Sequence, residues 1–379
     1  MSAANFIGSN GRQQSVGTIV IGGGQAGLAV GYYLAQQGEN FIILDENEQT
    51  GASWRKRWDS LRLFTPCKVN NLPGMPFPAP RDYFPTRNEV AEYLQGYADH
   101  FNLPIQHGMR ARRLIRSGDE YLVSTDTVEF TGKNVIIATG PFQKVHIPGI
   151  ARQLNPAIRQ LHSSAYQNPA SIPARSVLVV GAGNSGAEIS LELVRAGKKV
   201  VLSGRDVGRI PAASPIGRAF DGRLIWWIME NVLNVNTPVG RKVRAAELHH
   251  GAPLGRATRQ ELAGAGVELA PRLSGIQSGN PQLEDGRVLP VEGVLWATGF
   301  RPDYDWIDLP ILDEQGYPRH RQGVVENMPG IYFVGLQFQT ALTSSLLGGV
   351  GRDAKTITRQ IRNGRNLRTP QPSTAHPQA

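Results

Sequence analysis

Two segments of the chain share one pattern of apolar and small residues. The first is GTIVIGGGQAGLAVGYYLAQQGENFIILDE (17–46) and the second SVLVVGAGNSGAEISLELVRAGKKVVLSGR (176–205), and each has four or five β-branched or aliphatic residues before the first glycine of its turn. An apolar run of that length ending in glycine predicts a buried strand of a parallel sheet. Helical spacing then predicts a helix of about ten residues, ended by Gly38 in one copy and Gly197 in the other, each suited to a helix C-terminus. A second aliphatic run follows. The copies superpose at a constant offset of 159, so that Gly22, Gly24 and Gly27 fall on Gly181, Gly183 and Gly186.

Each glycine has a separate task in such a turn. The first makes the tight bend and the second lets backbone approach a pyrophosphate. The third lets the helix pack on its strand, with the helix N-terminus facing the phosphates. Asn184 and Ser185 stand at that helix start in the second copy. One such turn is weak evidence, but two in strand–turn–helix–strand context predict an α/β chain with two Rossmann-like dinucleotide-binding domains.

The position 23 residues past the first glycine separates the two nucleotides. It is Asp45 in the first copy, placed to accept hydrogen bonds from a ribose diol, as in FAD or NAD. In the second copy it is Gly204, followed by Arg205. A guanidinium without a carboxylate suits a 2′-phosphate, so NADPH fits better than NADH, which is not excluded. Ser203 adds a hydroxyl there, whereas a solvent pair of Arg205 with Asp206 is the plainer alternative.

Further echoes set the organisation. NVIIATGPF (134–142) and GVLWATGFRP (293–302) each end an apolar run in Ala-Thr-Gly, and a third run, GIYFVG (330–335), leads to a glycine-rich helix start near Gly349. Small residues at strand ends, Gly140 among them, allow backbone to pass close to another backbone or a cofactor. The NADP domain (170–290) is therefore expected inside the FAD domain (16–148 plus 291–365), after a linker at 149–169. A disordered lead (1–15) and tail (366–379) complete the expected layout. PTRNE (85–89) reads as a capping box with Thr86 and Glu89.

Composition removes alternatives. Cys67 is the single cysteine, so the chain holds neither an internal disulfide nor a dithiol relay. The eight histidines show no metal-ligand spacing, so no metal is expected. The net charge of +9 comes from scattered arginines rather than a basic helix interleaved with aromatics. It suits polyanionic cofactors better than nucleic acid. No apolar run approaches the roughly 18 residues of a membrane span, and the polar N-terminus reads as cytoplasmic.

Over residues 16–362 the chain resembles the class B flavin-dependent monooxygenases, which include flavin-containing monooxygenases, plant indole-pyruvate monooxygenases and Baeyer–Villiger enzymes. It is most similar to compact bacterial members labelled as flavoproteins of potassium or cation transport. The likeness rests on the paired glycine turns, GASWRKRWDSLRLFTP (51–66), YFPTRNEVAEYL (83–94), LHSSAYQNP (161–169), WATGFRPD (296–303) and GIYFVG…GGVGRDA.

The resemblance implies FAD at Gly22, Gly24, Gly27 and Asp45, with Trp54 and Arg55 alongside, and NADPH at Gly181, Gly183, Gly186, Ser203 and Arg205. His162 and Tyr166 match its H-x-x-x-Y and are candidate catalytic residues, although Pro156 and Ile158 replace the Phe and Gly that usually precede that histidine. Asn71 stands where relatives place polar residues near the flavin C4a atom; a turn before Pro73 also suits it. Leu336 follows Gly335 where many flavoproteins carry Asp, which makes backbone groups or Asp353 candidate substitutes. The implied activity is NADPH-dependent reduction of FAD, formation of a C4a-hydroperoxide with O2, and oxygenation of a soft nucleophile in a small lipophilic molecule. The tryptophans of FDGRLIWWIMENVLNV (220–235) suit a substrate lid, a contact with a membrane or partner, or plain core packing of an insertion. An NADPH oxidase releasing peroxide, or a non-catalytic redox sensor, are the competing readings.

Overall fold

The computed structural model describes residues 12–208, 222–250 and 254–366. The chain opens with β1 (Arg12–Ile21), α1 (Gln25–Gln36) and β2 (Phe41–Leu44), then the short α2 (Ala52–Arg55) and α3 (Arg87–His100). Strands β3 (Ile105–Gln106), β4 (Arg113–Ser117), β5 (Glu120–Ser124) and β6 (Val128–Ile137) complete its first part. The expected capping box starts α3: Thr86 accepts from the Glu89 amide and the Glu89 carboxylate accepts from the Thr86 amide.

A second nucleotide-binding fold follows. Past β7 (Lys144–Val145) come β8 (Arg159–His162), β9 (Ser176–Val180), α4 (Asn184–Arg195) and β10 (Lys199–Ser203). Helices α5 (Arg223–Asn231), α6 (Pro238–His250) and α7 (Arg259–Gly264) lead to β11 (Glu268–Ala270), a hairpin of β12 (Leu273–Gln277) and β13 (Asn280–Leu283), and β14 (Gly293–Trp296). Then β15 (Phe300–Arg301) returns the chain to β16 (Ile331–Phe333) and α8 (Val350–Asn366).

The first sheet runs β3-β2-β1-β6-β5-β4. One edge of β6 is shared: residues 129–132 pair antiparallel with β5, and 135–137 pair parallel with β16. The second sheet, β11-β10-β9-β14-β8, is parallel throughout. Its strands lie in sequence between β6 and β16, so one α/β unit is inserted into the other.

The boundaries differ from expectation. β8 was placed in the linker and β14 in the outer domain, yet both hydrogen-bond into the second sheet, with Trp296 opposite His162 and Val180. The inserted unit therefore begins near residue 159 and closes at 296. The lead also ends earlier, because β1 starts at Arg12, opposite Val128. Of the expected lead and tail, residues 1–11 and 367–379 lie outside the described residues.

The β7–β15 ribbon joins the two units, with Phe300 opposite Val145. The His146 amide donates to Gly299 O at 3.0 Å, and the Thr298 hydroxyl donates to His146 O. Aliphatic residues of both sheets are sealed: Ile19, Val20, Val135, Ile136, Leu178 and Val179 have no exposed surface. That uniform burial is what runs without polar alternation require. Among the described residues, no helix is long and apolar enough to cross a membrane.

Candidate functional site: two dinucleotide turns and a cavity

The twin turns agree contact by contact. Gly22 has φ +111° and Gly181 +109°, a region L-residues rarely adopt. A Cβ on Gly22 would stand 2.5 Å from Ala138 O, and one on Gly181 would overlap Ala297 O. Each Ala-Thr-Gly turn thus presses its alanine carbonyl onto the first glycine of the neighbouring strand. A Cβ on Gly27 or Gly186 would overlap the carbonyl oxygen of Gly22 or Gly181, which explains the third glycine. Gly24 and Gly183 differ: their φ values are −79° and −76°, and a Cβ there would meet no atom within 4 Å. Open space lies outside the second glycine of each turn.

Electrostatics mark the same place. Neither α1 nor α4 has a side-chain cap or an acid in its first turn. By contrast α3 is capped by Thr86, and α7 by Thr258, which accepts from the Glu261 amide. Uncapped amides and the positive end of the helix dipole suit an anion, for which one helix is worth about 0.3–1 kcal/mol.

Beyond the turns the two copies part. Asp45, 7% exposed, accepts from the Gly23 amide through Oδ2 at 2.9 Å and from the Asn47 amide through Oδ1 at 2.8 Å. Any Cβ on Gly23 would overlap that carboxylate. In the second copy Ala182 fills the equivalent space, and a Cβ on Gly204 would lie 2.7 Å from both the Cβ and the amide of Ala182. A carboxylate is therefore sterically excluded from the second copy, not simply missing. Arg205 is exposed beside Gly204, and the two line one recess with Val207, Leu254, Leu262 and Arg259. Asp206 pairs with Arg259 at 3.5 Å. The expected Ser203 contact is corrected: the side chain is 1% exposed and its hydroxyl donates to Pro271 O at 2.7 Å.

A third helix start joins the first. The Gln25 amide group donates to Ser345 O at 2.8 Å, which ties the beginning of α1 to the loop before α8. Gly335, with φ +89°, abuts Ala26. Gly349 is packed onto the Thr343 carbonyl, so its lack of a side chain serves packing. Trp54 packs against the core from α2, where Arg55 donates to Thr50 O at 2.7 Å. Gly140, at φ +72°, has open space around its Cβ position.

Asp353, in the first turn of α8, accepts from the Thr340 hydroxyl at 2.5 Å and is 1% exposed. Its other oxygen has no hydrogen-bond partner, and burial pushes the carboxyl from 3.8 up to about 6. Asp353 thus lies under the helix start as a sealed group.

The three catalytic candidates have other employment. His162, 5% exposed, accepts from the Ser164 amide at Nδ1 and faces Gly299 O from Nε2 at 3.1 Å. The proton is therefore assigned to Nε2, and burial lowers the pKa, so this ring is a neutral tie holding the second Ala-Thr-Gly turn. Tyr166 is fully buried and donates to Glu192 Oε2 at 2.8 Å, which anchors the strand-to-strand connection on α4. Asn71 accepts from the Phe77 amide at 2.8 Å and donates to Lys68 O at 3.2 Å, the turn role open to it. None of the three is placed as a catalyst.

Arg57 was missed. Its guanidinium carbon lies 4.8 Å from the Phe142 ring centroid and 5.7 Å from that of Phe300. Burial lowers its pKa. Within RKR it reads as surface charge; the usable signal was the phenylalanine following each Ala-Thr-Gly turn.

Beside the α8 start a cavity of about 550 Å³ opens between residues 68–71, Gly348 and α5. Its far wall is anchored, not loose: Asn234 bridges Ala341, the Val235 amide donates to Thr340 O at 2.8 Å, and Arg352 donates to Glu230 O at 2.6 Å. The segment with the paired tryptophans therefore rests on the loop leading into α8; its residues 220 and 221 lie outside the described residues.

Known proteins are similar to this chain over most of its length. Residues 19–214 match the family model for pyridine nucleotide-disulphide oxidoreductases. An uncharacterised CzcO-like oxidoreductase of Geobacillus kaustophilus is 38% identical over 93% of this chain and 99% of its own length. A probable indole-3-pyruvate monooxygenase of Arabidopsis thaliana, YUCCA9, is 23% identical over 92% of this chain and 89% of its own. The solved flavin-containing monooxygenase of Stenotrophomonas maltophilia superposes with a TM-score of 0.76 at 27% identity, covering 93% and 99%.

Two predictions separate packing from ligand chemistry. Gly27→Ala is expected to destabilise the protein by about 3 kcal/mol, the upper end for overpacking, seen as a lower urea midpoint. Gly24→Ala is expected to leave that midpoint in place and reduce retained dinucleotide. For Asp353 the raised pKa means the folded state holds the proton more tightly. That contribution is complete below about 3.8 and lost as pH rises through about 6. Urea midpoints of wild type and Asp353→Asn should therefore diverge from pH 4 to pH 7, with the wild type losing ground; parallel curves would contradict this.

Proposed function

We propose, from the premise that the chain belongs to the pyridine nucleotide-disulphide oxidoreductase family, that it is an NADPH-dependent FAD monooxygenase acting on a soft nucleophile (sulfur, nitrogen or activated carbon) of a small lipophilic molecule. The observation that carries this reading is the exchange between the turns: Gly23 with Asp45 in one, Ala182 with Gly204 in the other. One site accepts a ribose diol and the other excludes the group that would do so. A single cysteine, buried at Cys67, leaves no dithiol for disulfide reduction within the chain.

The residues present fit both dinucleotides. The α1 amides and the open face of Gly24 would take the FAD pyrophosphate, and Asp45, already oriented by the Gly23 amide, would accept from the adenosine ribose. The amides opening α8 would face negative charge on the reduced flavin ring. Gly183, Asn184, Ser185 and Gly186 would take the NADPH pyrophosphate, and Arg205 its 2′-phosphate. FAD, when bound, supplies the hydride acceptor and the oxygen-activating centre. Overall, NADPH, a proton, O2 and substrate give NADP, water and oxygenated substrate. The protein's own tasks are to align the two dinucleotides, for which His162 holds Gly299, and to exclude water, for which α5 covers the α8 start.

The test is rapid-mixing absorbance spectroscopy on FAD-loaded protein reduced anaerobically with NADPH, then mixed with O2 and no substrate. A blue-shifted single-band transient, persisting while NADP stays bound, is expected. Direct return to oxidised flavin with stoichiometric peroxide would make the protein an oxidase. No reduction by NADPH would remove the enzyme reading.

A further inference from the structure

Arg57 is a cation without an acceptor. Its guanidinium lies over the Phe142 and Phe300 rings, which meet edge to face at 5.3 Å. Such ring contacts attract the charge but accept no hydrogen bond. Among the described residues nothing accepts from its five N–H groups. The neighbouring carboxylate, Asp59, is engaged elsewhere: it accepts from Arg87 Nη2 at 2.7 Å and from Asn168 Nδ2 at 2.9 Å. A guanidinium drawn out of water with no acceptor is costly, and an arriving anion removes that cost. The loop that carries it is held in place. Arg57 O accepts from Arg87 Nη1, and the Asp59 amide donates to Gln167 O at 2.7 Å. Phe300 is backed by the His162 ring at 5.2 Å, the same ring that ties Gly299 O. Phe142 is 62% exposed, a large apolar ring left at the surface beside this cation.

We infer that Arg57 is where the outer unit recognises NADPH, its guanidinium binding the phosphate on the nicotinamide side of the pyrophosphate. This deepens the monooxygenase reading and rests on its use of NADPH. The two rings locate the contact. Phe142 follows the turn whose Ala138 carbonyl lies on Gly22, and Phe300 the turn whose Ala297 carbonyl lies on Gly181. Arg57 therefore stands where the two dinucleotide turns meet. The α4 start and Arg205 belong to the inserted unit and suit the adenosine half of the dinucleotide. Hydride transfer needs the nicotinamide at a flavin held by the outer unit, so the pyrophosphate has to cross the junction. A phosphate offers paired oxygens to the guanidinium fork, which stays planar against the rings. The FAD pyrophosphate is the poorer match. The uncapped α1 start serves it, and a residue for FAD alone needs no ring from the second Ala-Thr-Gly turn.

Isothermal calorimetry on the FAD-loaded protein compares NADP with adenosine 2′,5′-bisphosphate, which keeps the adenosine half and lacks the nicotinamide-side phosphate. Arg57→Met should weaken NADP by at least about ten-fold, the scale of a hydrogen bond to a charged group, and leave the bisphosphate unchanged. Arg57→Lys keeps the charge without the fork, so its NADP affinity should fall between those of wild type and Arg57→Met. Flavin content reports that each variant folds. Phe142→Leu removes an exposed ring and serves if the Arg57 variants fail to fold; it should weaken NADP alone. Equal weakening of both ligands would make Arg57 a clasp between the units and overturn the inference. So would loss of FAD with NADP affinity kept, which would make FAD its anion, or NADP affinity that does not change. A selective loss of NADP affinity, in a protein whose flavin NADPH does not reduce, would support this contact and remove the monooxygenase reading instead.

Discussion

A carbonyl oxygen resting on a glycine, twice, is the contact on which the rest of this molecule depends. Ala138 O lies against Gly22 and Ala297 O against Gly181, close enough that no side chain fits at either glycine. That approach sets the bend after β1 and after β9, and it aims α1 and α4 outward without caps. The third glycines, Gly27 and Gly186, let each helix settle onto its own turn. Sheet order follows from the same need, since β6 and β14 must lie beside β1 and β9 to deliver those carbonyls.

With the backbone of the two turns nearly identical, one small exchange of volume separates them. Gly23 leaves room for the Asp45 carboxylate, whereas the Ala182 methyl takes that room and demands glycine at 204. The first copy presents a buried carboxylate; the second offers Arg205 at its mouth. Joining the two, the β7–β15 ribbon and His162 hold the second Ala-Thr-Gly turn close to the first, with Arg57 over Phe142 and Phe300.

Much of this was legible in the sequence because it is local. The third glycine of each turn, the capping box at Thr86 and the α8 start at Val350 depend on steric demands within a few residues. What was not legible depends on distant partners. β8 and β14 are four residues each and pair with one another across more than 130 positions, so no periodicity marks them as neighbours. The same applies to side chains. His-x-x-x-Tyr announces two polar residues, but only the fold shows that Gly299, Ser164 and Glu192 take their polar atoms. Ser203 lost its assignment to the Pro271 carbonyl, 68 residues away.

The most direct measurement is the ratio of anaerobic flavin reduction rates with NADPH and NADH, in wild type and in the double variant Ala182→Gly, Gly204→Asp. The double replacement recreates in the second turn the space and carboxylate of the first. Wild type should prefer NADPH, and the double variant should move toward NADH by about ten-fold or more, the equivalent of about 1.4 kcal/mol. A preference unchanged in a variant that retains its flavin would contradict the claim that this exchange of volume decides which nucleotide each turn accepts.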